Sequence, residues 1–184
     1  MLTKFIDNEI KYEGWQLAPH WIYKNYKLQG DSIVAFIGEC EVKLTEMVDI
    51  EDVINNEPIY SKSMLSFISE QFNIGLIEGV FRQRLLICVI KEVLESRGFN
   101  IIRSGDDLFF NNKKLTVSIA TKSATSVLIH TGINIISSGA PVKASGLTED
   151  LGIDDIKDFA IEVMKRYSEE IHDIILASTK VRGV

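Results

Sequence analysis

The chain has 184 residues, 46% of them hydrophobic and 25% charged, a length and balance that suit one globular domain over 1–184 with a sizeable core. Twenty Lys and Arg against 26 Asp and Glu leave a formal charge of −6, so the overall balance gives a phosphate backbone nothing to bind, and no nucleic-acid partner is expected. Three Pro and 12 Gly in an evenly apolar chain exclude collagen-like and wholly disordered readings.

The longest aliphatic run, Leu85 to Ile90, falls far short of the roughly 20 residues that cross a bilayer. The opening MLTKFIDNEIKYEG lacks the basic-then-apolar order of a secretory signal. A cytoplasmic protein without a membrane partner is therefore expected. Cys40 and Cys88 have no Cys or His neighbour at ligand spacing, which predicts two reduced thiols and no metal site.

In chain order, the region up to about Asp49 alternates short apolar patches with turn residues, and Asp31 to Gly38 reads as a strand. Ser61 can cap a helix in which Met64, Leu65, Phe67, Ile68 and Phe72 recur at helical spacing up to Asn73. A second helix, 78–97, has a broad apolar face closed by Gly98 and reads as central and buried. Runs 99–103, 107–111, 113–121 and 126–136 are rich in Ile, Val, Phe and Thr and predict an antiparallel meander. Asn111-Asn112 suits its two-residue turn, since Asn tolerates positive φ. Residues 137–152 read as a loop, and a long amphipathic helix starts at Asp154 or Asp155. The expected class is α+β, a mixed, mostly antiparallel sheet packed against helices.

Successive strand residues point to opposite sides of a sheet, so the meander assigns side chains to faces. With Asn111-Asn112 as the turn, Phe109 opposes Lys114. If Lys122 to Ala124 closes the next hairpin, Thr116 opposes His130, giving a row Asp107, Thr116, His130 with Lys114, Ser126 and Asn134 on the same face. A Lys, an Asp and a His on one polar face form a candidate ligand cleft; the plainer alternative is a polar sheet face turned to water. Arg82 and Arg84, in the first turns of the buried helix, are candidate contacts for a phosphate or carboxylate, or else partners in salt bridges. The acidic run Glu46, Asp49, Glu51 and Asp52 could hold a divalent cation through oxygen ligands, but reads foremost as solvated surface or a helix N-terminus. Tyr12, Trp15, Trp21, Tyr23 and Tyr26 suit core or dimer packing. No catalytic-triad, zinc-helix, dinucleotide or P-loop motif occurs.

Gly105-Asp-Asp-Leu-Phe-Phe-Asn-Asn-Lys-Lys-Leu-Thr-Val-Ser-Ile119, followed by Val127-Leu-Ile-His-Thr-Gly-Ile-Asn-Ile135, resembles the catalytic domain of biotin– and lipoate–protein ligases. Lys143-Ala-Ser-Gly-Leu-Thr-Glu-Asp-Leu-Gly152 is similar to the short segment before that family's terminal helix. The resemblance covers roughly 78–176. It implies that Asp107 matches the family's hairpin Asp, that Lys114 matches the lysine contacting the acyl and phosphate groups of the adenylate, and that Ser118 matches a lipoate-ligase serine. It further implies ATP and magnesium as cofactors and an acceptor protein as partner. The family's basic Gly-rich phosphate loop has no counterpart before residue 78. The whole chain, including Met47-Val-Asp-Ile-Glu-Asp-Val53 and Gly79-Val-Phe-Arg-Gln-Arg-Leu85, also resembles small prokaryotic proteins of unknown function assigned to this fold.

Two functions are thus expected. In the first, a ligase-like domain binds a small carboxylic acid or nucleotide-like ligand and transfers an acyl group, with Lys114 and Asp107 as catalytic residues, His130 as a candidate for proton transfer, and Arg82, Arg84, Thr116, Ser118 and Asn134 as ligand contacts. In the second, a non-catalytic binding or assembly module, a homodimer, keeps the fold without the phosphate loop.

Overall fold

The fold is taken from a computed structural model, which describes residues 1–139 and 142–183. Its elements are β1 (Leu2–Ile6), α1 (Trp21–Tyr26), β2 (Ser32–Val42), α2 (Ile50–Asn55), β3 (Ile59–Phe72), α3 (Leu76–Ser96), β4 (Ile102–Ser104), β5 (Asp107–Phe110), β6 (Lys113–Lys114), β7 (Thr116–Lys122), β8 (Ser126–Ile136) and α4 (Ile156–Thr179). Five strands form the main sheet in the order β1-β2-β3-β8-β7, antiparallel except for β1 against β2; β4, β5 and β6 make a small second sheet. The chain is α+β with a mixed sheet, as its sequence predicts.

The segment 61–73 is the clearest departure: it is a strand, not a helix. β3 lies in mid-sheet between β2 and β8, with Leu65 and Phe67 packed in the apolar cluster on one face and Met64 and Ile68 in that on the other, so all four are buried. A strand buried on both sides loses its two-residue alternation, and an apolar run of this kind then imitates helical spacing. The expected meander is also divided. Leu115 breaks it, and its backbone ties the two sheets together by donating to Leu108 and accepting from Asn134. The hairpin before it is as expected: Asn111 and Asn112 have φ of 49° and 59°, and Phe109 opposes Lys114. The loop expected over 137–152 includes Ala140 and Pro141, which lie outside the described residues.

The sheet separates two apolar clusters. On one face Ile33, Leu65, Phe67 and Ile133 pack under α3 and α4, through Leu86, Ile90, Phe159 and Tyr167 among others. On the other face Val34, Phe36 and Ile68 are covered by α1 and the chain before it, through Leu17, Trp21 and Ile22. This second cover is shorter than the sheet, and at the β7 and β8 side it leaves a cavity.

Candidate functional site

The cavity, about 270 Å³, lies on the face away from α3 and α4. Which side chains reach it depends on the register of β7 against β8. Four residues, 123–126, separate the paired Lys122 and Val127, so Ile119 opposes His130 and Thr116 opposes Ile133. Thr116 therefore does not oppose His130, and the expected row Asp107, Thr116, His130 does not form. The odd shift in register exchanges the faces: Val117 and Ile119 floor the cavity with His130, while Thr116 and Ser118 border it from the helix-covered side. Their hydroxyls are already engaged. Thr116 Oγ1 accepts from the Leu108 amide at 2.8 Å, and Ser118 Oγ donates to the His130 carbonyl at 3.1 Å and lies 2.8 Å from Thr131 Oγ1.

Asp107 and Lys114 do meet, with Lys114 Nζ 3.0 Å from Asp107 Oδ2 at the edge of the cavity. The hairpin turn aligns their strands, and Lys114 is further held by the segment after residue 142: its amide donates to the Lys143 carbonyl and its carbonyl accepts from the Ser145 amide. Burial pushes the Asp107 carboxyl above the usual carboxylate range, and neighbouring Asp106 adds to this, although Lys114 and Arg84 act the other way. Arg84 pairs with Asp106 at 3.3 Å, just behind the cavity wall. Arg82 is elsewhere: it donates to Gln71 and Glu78, and Gln71 donates to Tyr167 in the helix-covered layer. The salt-bridge alternative thus describes both arginines as the structure places them.

His130 lies on the floor, 3% exposed, with Nε2 3.3 Å from Ser66 Oγ and its ring stacked on Tyr12 at 3.8 Å between centroids and 13° between planes. Burial pushes its pKa down to about 3, so the ring is neutral near pH 7. Burial likewise pushes the Tyr12 phenol far up, so that it keeps its proton. Asn134 is the third polar group here. No hydrogen bond to the Tyr12 hydroxyl, the Asn134 side chain or His130 Nδ1 occurs among the described residues, yet no fully buried side-chain polar atom lacks a partner there. These three groups therefore open into the cavity they line.

Nothing near Tyr12 in sequence marks it as a site residue. A backbone bridge to Cys40 places it, with the Tyr12 amide donating to Glu39 and its carbonyl accepting from Glu41. The acidic run is only in part the solvated surface or helix N-terminus that its sequence suggests. Asp49 does cap α2, accepting from the Glu51 amide at 2.8 Å, but Glu46, Asp49 and Asp52 also line the cavity, as do Glu57, Asp106 and Asp107. Burial and the nearby Asp49 raise the Asp52 carboxyl, with Lys114 opposing them, which places Asp52 and Lys114 within electrostatic reach across the mouth. Among the described lining residues Lys114 is the one cation against six carboxylates.

This lining does not fit a nucleoside triphosphate. Phosphates need converging amides and cations, whereas Arg82 and Arg84 are engaged outside the cavity and Lys114 is held by Asp107. Nor do three or more His, Cys, Asp or Glu side chains gather into a metal site among the described residues.

Residues 1–182 match the family described as a domain of unknown function, DUF366. The chain belongs to that family. An uncharacterized protein of Methanocaldococcus jannaschii is 41% identical to the DUF366 chain over 176 residues, 92% of this chain and 79% of the relative. A solved protein of unknown function from Pyrococcus horikoshi superposes with a TM-score of 0.93 at 39% identity, covering 99% of this chain and 98% of that one. A biotin protein ligase of Aquifex aeolicus in complex with biotin gives a TM-score of 0.62 at 17% identity, over 94% of this chain and 70% of the ligase. A putative lipoate protein ligase of T. acidophilum with bound lipoic acid gives 0.61 at 11%, over 94% and 86%. The DUF366 chain therefore has the fold of biotin and lipoate ligase catalytic domains. Fold alone does not carry their chemistry.

Proposed function

We propose that this DUF366 chain is a ligand-binding module: it keeps the ligase-like fold, takes a small organic molecule into the cavity on the open face of the sheet, and does not hold a triphosphate. One observation carries the reading: buried, unengaged polar groups and an apolar floor share a cavity whose rim is acidic. Enclosed space with an apolar lining and a few convergent polar groups is the usual form of a small-molecule site. Val117, Ile119 and Met64 would contact the body of the ligand, and Asn134 and His130 its polar atoms. A thermal-unfolding screen of small acids, amides, amines and nucleobases tests this. At least one compound should raise the midpoint of the wild type and leave Val117→Phe, which fills the cavity, unmoved; a screen without any shift would count against a ligand role.

Acyl transfer is the second reading, and the Lys114–Asp107 pair at the cavity edge favours it. There Lys114 would neutralise charge developing on an acyl oxygen and Asp107 would orient it, with Thr116 and Ser118 at the border and Arg84 in support through Asp106. His130, neutral and enclosed, suits hydrogen bonding better than proton transfer at pH 7. Under this reading biotin or lipoic acid, the molecules bound to the similar ligases, is the ligand, and an acceptor protein follows. Loss of ligand binding in Lys114→Ala with an unchanged unfolding midpoint would support it. No helix among the described residues is long and apolar enough to cross a membrane. We further propose a cytoplasmic location and a homodimer, for which exposed Trp15 and Tyr23 offer apolar surface.

A further inference from the structure

Two features of the cavity specify its ligand more narrowly than its size does. The first is the floor. Tyr12, His130 and Asn134 are each more than nine-tenths buried, yet the Tyr12 hydroxyl, His130 Nδ1 and the Asn134 amide make no hydrogen bond among the described residues and open into the cavity. Groups of this kind cost stability unless water or a ligand completes them. All three are neutral near pH 7, so what completes them is a group with hydrogen-bonding atoms and no net charge. The stacked Tyr12 and His130 rings, together with Val117 and Ile119, favour a flat one.

The second feature is the mouth. Asp106 is answered by Arg84 and Gln83, and Asp107 by Lys114. Neither Glu46, Asp52 nor Glu57 has a salt-bridge partner among the described residues, and Asp49 serves its own helix. The burial and like-charge crowding that raise Asp52 mark an excess of negative charge there. A second anion at this mouth would be repelled, and a cation would relieve the excess.

Resting on the ligand-module reading, we propose that the cavity binds a small amine, with an uncharged hydrogen-bonding ring on Tyr12, His130 and Asn134 and an ammonium group beside Asp52, Glu57 and Glu46. This reverses the charge preference of a phosphate-binding site on the same fold, and Lys114, neutralised by Asp107, does not oppose it.

A matched series tests the proposal: tyramine, para-hydroxyphenylacetamide and para-hydroxyphenylacetate share one ring and differ in end charge. Titration calorimetry on the full chain should give tyramine at least about tenfold tighter binding than the carboxylate, the amide lying between. The Asp52→Asn/Glu57→Gln double variant, altered on the exposed side of the mouth, should bring the three within about twofold of one another. Tyr12→Phe and Asn134→Ala should instead weaken all three by a similar factor, roughly three- to tenfold. The ¹⁵N shift of His130 Nδ1 should move when tyramine binds, which locates the ring even if an affinity change is small. A carboxylate that binds as tightly as the amine, or a preference that survives the double variant, would overturn the proposal. If none of the three binds, the amine assignment falls; the ligand-module reading falls with it only if the wider thermal screen is also silent.

Discussion

Under α3 and α4 the main sheet presents Ile33, Leu65, Phe67 and Ile133 to a continuous apolar layer, with its serines, threonines and Gln71 hydrogen-bonded inside it. The opposite face is closed over Val34, Phe36 and Ile68 and then opens, leaving Val117 and Ile119 half-buried beside polar atoms without partners. One face thus holds the fold together, and part of the other is left free for a ligand. Stability and site chemistry reside in different layers of the same strands, so the residues of the open end can change without dissolving the core.

The largest expected contrast is between apolar truncations on the two faces. Phe67→Ala, at a fully buried site beneath the helices, should cost about 3–5 kcal/mol in denaturant unfolding, and Ile119→Ala, beside the cavity, roughly 1 kcal/mol or less. Similar losses at both positions would erase the distinction. Next comes acid sensitivity. His130 is held neutral, with a folded pKa near 3 against the ordinary 6.5, so the unfolded chain binds the extra proton first. The stability this supplies is complete above pH 6.5 and is lost as pH falls toward 3, amounting to several kcal/mol at the acid end. His130→Gln should be less stable at pH 7 and should flatten the dependence of the unfolding midpoint on pH between 6.5 and 4; an unchanged slope would mean that the ring is wetter than its burial indicates.

Asp52 runs the other way. Its folded pKa is raised, so the folded chain holds the proton longer and ionisation lowers stability as pH rises through the folded pKa. Asp52→Asn should therefore raise the midpoint at pH 7, by the equivalent of about 0.5 kcal/mol at this half-exposed position, and the gain should vanish at pH 3. The smallest effect is in the turn. Asn111→Gly and Asn112→Gly should be close to neutral, because positive φ suits both residues, whereas Ala at either position should cost about 1 kcal/mol.

Much of this architecture was legible in the sequence. A broad apolar face closed by Gly98 marks α3, a 3.6-residue rhythm marks α4, and the Asn pair fixes the register that brings Lys114 to Asp107. β3 was not legible, because burial on both faces removes the alternation by which a strand is known. The face of His130 was lost in a single loop: Ser123 Oγ accepts from the amides of Thr125 and Ser126, stabilising four residues where three were expected. One such difference turns every β7 side chain over. The acid rim and Tyr12 come from segments far from β7 and β8 in sequence, and only the closed fold brings them together.

The most direct test of the central claim, that this cavity serves a ligand other than a triphosphate, is thermal unfolding of the wild type and Lys114→Ala against magnesium-ATP. A ligand at 100 times its dissociation constant stabilises the folded state by about 2.7 kcal/mol. The expected result is no shift in either protein at millimolar nucleotide. A clear rise in the wild type that disappears in Lys114→Ala would contradict the claim and establish the cavity as an adenylate-type site.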